Sequence, residues 1–165
     1  MQTSNRCCSS ATWWLTVGAV LAGLAVVLGA FAAHGLDRYC VEKYRDAKPS
    51  VVAGFEVPTS WKRLQNFKTG AEYQMYHALG LIAVGLLLRV RETKALQCAG
   101  WAFLLGILFF SGSLYALTIT GQTAWGAVAP IGGTLFIVGW GAIAVAVLSN
   151  RSASQLPSTG GDEQE

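Results

Sequence analysis

Four long stretches of this chain carry no Lys, Arg, Asp or Glu: Trp13 to Ala33, Tyr73 to Leu88, Cys98 to Ile119 and Trp125 to Leu148. A helix needs about 20 apolar residues to cross a hydrocarbon core, and about 17 at the short end. The first, third and fourth stretches meet that length directly. The second is shorter, but its amphipathic entry Tyr73-Gln74-Met75-Tyr76-His77 suits the headgroup region and completes a crossing. Composition agrees, because 53% hydrophobic residues against 13% charged is too apolar for one soluble domain of 165 residues. The expected architecture is an all-α membrane protein, a four-transmembrane-helix bundle with spans at about 13–33, 73–88, 98–119 and 125–148. An N-terminal tail, 1–12, precedes it. A tail at 149–165, of Ser, Gly, Pro and acidic residues, cannot bury a core and is expected to be disordered.

The first stretch has a rival reading as a cleaved signal peptide, since Arg6 precedes it and Ala30-Phe31-Ala32 has the small-x-small form of a cleavage site. The apolar run exceeds the roughly 7 to 15 residues of a signal core, which favours a retained helix. Within it, Gly18 above Ala22, Ala19 above Gly23 and Ala25 above Gly29 form small-residue ridges that let helices pack closely. Trp13 and Trp14 suit an interfacial anchor.

Alternate crossing puts both termini and the loop Arg89 to Gln97 on one side, and the long loop Gly35 to Glu72 on the other. Arg89, Arg91 and Lys94 crowd the short loop while the turn Thr120 to Ala124 is uncharged, which favours both termini in the cytoplasm. The long loop opposes this with seven Lys or Arg residues, diluted by five carboxylates. In a bacterial cell such a helical protein belongs in the cytoplasmic membrane, the outer membrane being the domain of barrels. The net charge of +3 lies in loops beside the spans, so the lipid bilayer is the expected partner and nucleic acid is not.

Cys7, Cys8 and Cys98 fall toward one side and Cys40 toward the other, which excludes an intrachain disulfide from Cys40. Without C-x-x-C spacing the four cysteines make no zinc signature, and reduced thiols are expected. In the long loop Pro49 and Pro58 punctuate an irregular stretch. Thr59 or Ser60 can then cap a helix from Trp61, whose apolar side is Trp61, Leu64, Phe67 and Ala71. This is the pattern of an interfacial helix on the membrane surface, feeding the second span with a bend at Gly70.

The unusual residues gather toward the long-loop side. His34 ends the first span, and His77 lies in the second turn of the second with Tyr73 and Gln74 on its face. Ser111, Tyr115 and Thr118 form one stripe of the third span, about 2 to 12 Å from its end at 1.5 Å per residue. Gly126, Pro130 and Gly133 form a stripe of the fourth. The candidate binding cluster is therefore His34, Tyr73, Gln74, His77, Ser111, Tyr115, Pro130 and Gly133. The two histidines have a plain reading as interhelical or headgroup hydrogen bonds, and a sharper one as a proton relay or a metal or haem ligand pair. A metal would need a third ligand, for which Glu72 or Tyr73 is nearest, and no H-x-x-x-H spacing supports it; no metal or cofactor is predicted. Ser111 and Ser113 lack a carboxylate to orient a histidine base, so bonding back to a carbonyl one turn earlier or across to a neighbouring helix is expected of both. Pro130-Ile131-Gly132-Gly133 fits a kink or late helix start more readily than an ion-coordinating helix break.

Taken in order, Gly29-Ala30-Phe31-Ala32-Ala33-His34-Gly35-Leu36, Tyr73-Gln74-Met75-Tyr76-His77-Ala78-Leu79, Phe110-Ser111-Gly112-Ser113-Leu114-Tyr115, Pro130-Ile131-Gly132-Gly133 and Gly139-Trp140 resemble the small bacterial membrane proteins grouped as domain of unknown function 423, related to the eukaryotic transmembrane protein 256 family. The resemblance covers about residues 13–148 and implies four spans, an uncleaved first helix and a membrane location, without an established activity. Ala32 stands where that pattern usually has glycine, and the segment around Tyr39 to Thr59 looks like an insertion.

The leading expectation is a non-enzymatic membrane protein serving binding, assembly, or small-solute or proton handling, with a homo-oligomer or a membrane protein partner as its candidate protein partners and with transport requiring the homo-oligomer. The alternatives are a membrane enzyme or redox carrier using His34 and His77, and a purely structural accessory subunit.

Overall fold

The structure, a computed structural model, describes residues 2–153, with side chains described over 10–149. The side chains of Cys7 and Cys8 and most of the predicted C-terminal tail lie outside these residues. Five α-helices follow in order: α1 (Gln2–His34), α2 (Leu36–Lys43), α3 (Thr59–Val90), α4 (Lys94–Thr120) and α5 (Ala129–Ala153). Four of these segments are long and apolar enough to cross a membrane. Between α2 and α3 stands a small hairpin of β1 (Ser50–Val52) and β2 (Phe55–Val57), and a 3-10 turn, Thr123–Ala127, precedes α5.

The spans pack in sequence order, α1 on α3, α3 on α4 and α4 on α5, so α3 and α4 form the inner pair and α1 and α5 flank them with broad exposed faces. Apolar burial gives little drive between helices already in lipid, so close packing must hold them. The interior is filled by Trp14, Leu81, Val84, Leu88, Phe103, Ile107 and Phe136. Glycines set the close approaches. A Cβ on Gly18 would lie 2.8 Å from the carbonyl of Ala78, one on Gly100 would lie inside the Trp14 ring, and one on Gly132 would meet the backbone nitrogen of Phe110. The ridge of Gly18 and Ala25 therefore packs on α3, whereas Gly23 faces open space. Trp14 is not a headgroup anchor; it is buried and donates from Nε1 to Gln97 Oε1 at 2.9 Å, while Trp13 is exposed.

The long loop is more ordered than its punctuation suggests. Pro49 and Pro58 bound the hairpin from outside, where neither removes a ladder hydrogen bond. Its two-residue turn puts Ala53 at φ 50° and Gly54 at φ 85°, the left-handed geometry that matches strand twist. Pro58, rather than Thr59 or Ser60, occupies the N-cap of α3, because the Thr59 hydroxyl donates instead to the Lys48 carbonyl at 2.7 Å.

Most consequential is the length of α3. The amphipathic segment from Trp61 is helical, as its pattern predicts, but it is one uninterrupted helix with the second span rather than a separate surface helix. Its apolar side has a protein partner: Phe67 is buried with Ala32, Leu36 and Cys40, and Gly70 receives the Tyr115 ring. Packing against α1, α2 and α4 thus continues the helix straight through. The spans also overrun their predicted ends, since α1 already begins at Gln2 and α5 extends to Ala153.

The helix α2 closes the long-loop end of α4. Tyr39 donates its hydroxyl to the Ile119 carbonyl at 3.0 Å and Tyr44 to that of Thr118 at 2.8 Å. Lys43 Nζ donates to the Ile119 carbonyl as well, and Arg63 Nη2 reaches that of Gly121 at 3.4 Å. These carbonyls are the ones a helix C-terminus leaves without intrahelical partners, and the cations also suit its negative dipole end. Gly121, at φ 81°, ends α4 in the left-handed cap.

Candidate functional site

Helix α3 is the hub of two polar connections. The first joins three spans: Gln74 Nε2 donates to the Leu21 carbonyl of α1 at 2.9 Å, and Tyr115 of α4 donates its hydroxyl to Gln74 Oε1 at 3.0 Å. Leu21 lies near the middle of the apolar span Ser10–His34, which places Gln74 close to the bundle's midplane. A buried amide there needs partners on both its atoms, and it has them.

One helical turn on, His77 is buried and makes the second connection. Its Nδ1 lies 2.7 Å from the Tyr73 carbonyl, and Trp140 Nε1 of α5 lies 3.3 Å from its Nε2. An indole nitrogen can only donate, so Nε2 must be the accepting nitrogen and Nδ1 carries the hydrogen that goes to Tyr73. The network thereby assigns one neutral tautomer. The ring is clamped from its face by Phe136, with centroids 3.4 Å apart and planes within 6°, and Phe103 stands 5.4 Å away.

His77 forms part of the wall of a groove of 610 Å³ between α3 and α5. Tyr73 and Tyr76 line it from α3, Phe110 from α4, and Pro130, Gly133, Thr134, Phe136, Ile137 and Trp140 from α5. The groove opens sideways, past the exposed side chains of Tyr76, Ile137 and Trp140, toward the surroundings of the bundle. In a bilayer those surroundings are acyl chains.

The structure divides the predicted cluster. Tyr73, His77, Pro130 and Gly133 meet at the groove, while Gln74 and Tyr115 form the separate link to α1. Ser111 is fully buried, and its hydroxyl has no hydrogen-bond partner among the described residues, neither the expected back-bond nor the expected bond to a neighbouring helix; Ser113 does bond back, to the Phe110 carbonyl at 2.9 Å. His34 belongs to neither group. It is exposed at the end of α1, beyond Phe31, which packs on Phe67. Phe67 precedes His77 by ten residues, about 15 Å of helix, so the two histidines share no site. The reading of them as a ligand pair with Glu72 or Tyr73 therefore falls, as does an enzyme or carrier built on both. The physical reason is the true start of α3: counting from Thr59 rather than Tyr73 moves His77 from the second turn of its helix to the middle.

Pro130 sits in the first turn of α5, where its missing N–H costs nothing. This is the late helix start rather than an internal break. Sequence reasoning passed over Tyr76, Phe110, Thr134, Phe136, Ile137 and Trp140. The signal was present in α5, where Gly133, Phe136, Ile137 and Trp140 recur at helical spacing on one face.

These features define a four-span integral membrane protein with a tautomer-fixed histidine at the midplane and a groove opening to lipid. Comparison with known proteins then places it: residues 28–133 match the family described as protein of unknown function (DUF423), and the chain belongs to that family. It is 40% identical over 136 residues to UPF0382 membrane protein YwdK of Bacillus subtilis, covering 82% of this chain and 95% of that protein. It is 38% identical over 139 residues to a UPF0382 membrane protein of Haemophilus influenzae, covering 84% and 96%. No solved structure matches the chain.

Proposed function

We propose that this protein is a non-enzymatic, membrane-embedded binding component whose groove between α3 and α5 takes a lipid-soluble molecule bearing a hydroxyl group on a flat ring. The observation that carries this reading is His77. Its neutral ring presents an acceptor, Nε2, at the wall of a groove open to lipid, and only a long 3.3 Å bond from Trp140 occupies it. A ligand hydroxyl can replace the indole as donor, while Phe136, Tyr73 and Phe110 offer ring faces for stacking. An acyl chain has no such donor, so the site discriminates between the solvent lipid and its ligand.

Passage of a solute through a single copy is less well supported, because Leu81, Val84, Phe103 and Phe136 fill the space between the spans. A solute path would call for a homo-oligomer or a membrane protein partner. The cytoplasmic membrane is the proposed location, with both termini in the cytoplasm, on the strength of Arg89, Arg91 and Lys94 in one short loop against the uncharged turn Thr120 to Ala124.

Titration of the nanodisc-embedded protein with a long-chain alkylphenol and with the matching alkylbenzene tests the binding reading. The phenol should bind about ten-fold more tightly, equivalent to one hydrogen bond of about 1.4 kcal/mol, and His77→Phe should erase the difference. Equal affinity for the two probes in the unaltered protein refutes it.

A further inference from the structure

Two side chains of the His77 groove are held as acceptors by their own hydrogen bonds. Nδ1 of His77 lies 2.7 Å from the Tyr73 carbonyl, which has no hydrogen to give, so the ring hydrogen stays on Nδ1 and Nε2 presents a lone pair. Inverting the tautomer to make Nε2 a donor would set the Nδ1 lone pair against that carbonyl. The second acceptor is Thr134. Its hydroxyl donates to the Pro130 carbonyl at 3.0 Å, one turn back along α5, which commits its hydrogen and leaves Oγ1 its lone pairs.

Their separation and the surface between them suit one flat molecule. Thr134 precedes Trp140, whose indole meets Nε2, by six residues, about 9 Å along the axis of α5. Between them the wall is low at Gly133, where even an added Cβ would come no nearer than 3.9 Å to Phe110. The inner wall is a set of near-parallel ring faces: the Phe136 plane lies at 6° to His77, and the Tyr73 plane at 24° to His77 and 29° to Phe136. A flat ring can stack on such a wall.

We propose that the ligand of this groove is a lipid-soluble quinol, a ring with hydroxyls at both para positions, and that the groove rejects the oxidised form, the quinone. The proposal rests on the binding reading given above and adds to it the second hydroxyl and the oxidation state; it concerns binding alone, with no electron transferred. The para oxygens of such a ring are about 5.5 Å apart, so a hydrogen bond of about 2.8 Å at each end gives a reach of up to about 11 Å. That is the scale of the distance from Nε2 to Thr134. A quinone has carbonyls in place of both hydroxyls, and at Nε2 and Oγ1 these set lone pair against lone pair. The Trp140 indole can donate to a quinone oxygen only by leaving Nε2 without its donor, an exchange with no net gain. The hydroxyls of Tyr73 and Tyr76 can donate to either form and do not tell them apart.

Anaerobic titration of the nanodisc-embedded protein tests it, with an alkylhydroquinone, the alkylquinone it gives on oxidation, an alkylphenol and an alkylbenzene, all of one chain length. The hydroquinone should bind about ten-fold more tightly than the phenol, for its second hydrogen bond, and about a hundred-fold more tightly than the quinone. Thr134→Val, a change of similar shape at an exposed position, should bring the hydroquinone down to the level of the phenol and leave the phenol unchanged. His77→Phe should weaken both. A quinone that binds as tightly as the hydroquinone overturns the proposal. So does a hydroquinone advantage over the phenol no larger than the roughly two-fold that two equivalent hydroxyls give by statistics, or one that survives Thr134→Val. Where the phenol still exceeds the alkylbenzene in those cases, the binding reading stands and the quinol assignment alone falls; where phenol and alkylbenzene bind alike, both fall.

Discussion

Trp140 donates its indole N–H to Nε2 of His77 at 3.3 Å, and this single bond ties α5 to α3 across the mouth of the groove. The two helices otherwise meet mainly through Phe136, since α5 packs chiefly on α4. The bond thus has two consequences, one for the tautomer of His77 and one for the position of α5.

Trp140→Phe should destabilise the bundle by about 0.6 kcal/mol and by no more than about 1.7 kcal/mol, the average and the maximum measured for hydrogen bonds between membrane helices. It leaves His77 Nε2 without its donor. His77→Phe on top of it should cost little more, because the remaining polar atom has gone. Reversible unfolding in mixed micelles, run as a double-mutant cycle, checks this; additive losses would mean that the two rings are not coupled.

The Gln74 amide should behave differently, because it has two partners on two helices. Tyr115→Phe removes one donor and leaves Gln74 Oε1 bare, whereas Gln74→Leu strands the Tyr115 hydroxyl. Each single change should cost about 1 to 2 kcal/mol and the pair less than their sum. The same unfolding measurement serves, and strict additivity would contradict a shared link.

The four spans were legible because charge is excluded from hydrocarbon, and Lys, Arg, Asp and Glu mark two of the three gaps between them, the turn Thr120 to Ala124 being uncharged. Where α3 begins was not legible by that rule. Lys62, Arg63, Lys68 and Glu72 interrupt the apolar stretch while sitting on one continuous helix, whose apolar side has Phe67 buried against α1 and α2. That one misplaced boundary carried His77 toward the surface and into an apparent pairing with His34. Tyr73, His77, Pro130 and Gly133 were found because polar and helix-irregular residues are conspicuous in a span. Phe136 and Trp140 were not, because an aromatic residue in an apolar stretch looks the same whether it faces lipid or clamps a histidine. The role of α2 was hidden for the opposite reason: Tyr39, Lys43 and Tyr44 look like solvated loop residues until the carbonyls of α4 are placed beside them.

Glycines of similar sequence context should respond oppositely to the same change. A Cβ at Gly132 would meet the backbone of Phe110, which cannot move without shifting α4, whereas one at Gly23 has open space. Gly132→Ala should therefore cost about 1 to 3 kcal/mol by overpacking, while Gly23→Ala should be neutral or stabilise by up to about 1 kcal/mol through helix propensity. Thermal unfolding in one detergent compares them. A large loss at Gly23 would indicate that its face is covered by another chain in the assembled protein.

The docking of α2 should weaken in alkali, and the sign follows from three neighbouring groups. Burial, with the Asp37 carboxylate adding to it, raises the Cys40 thiol above its ordinary value of 9.0. Burial likewise raises the Tyr44 phenol above 10.0, and the hydrogen bond to Tyr39 raises Lys43 above 10.5. Each group holds its proton more tightly docked than free, so its contribution is complete below the free value and declines as pH rises past it. Docking should be intact below pH 9.0 and loosen progressively as pH climbs past 9.0 and then 10.0, the free values of the thiol and the phenol. Lys43 is solvent-exposed and contributes least. Alkylation of Cys40 in a Cys7→Ser, Cys8→Ser, Cys98→Ser background reports the opening, since Cys40 is the buried thiol of the loop. Its rate, normalised to that of the denatured chain at the same pH, should be low at neutral pH and rise steeply in that alkaline window. Tyr44→Phe removes one titrating group and should shift the rise to higher pH; a normalised rate that stays flat would show that α2 is held by its apolar contacts to Ala32 and Phe67 alone.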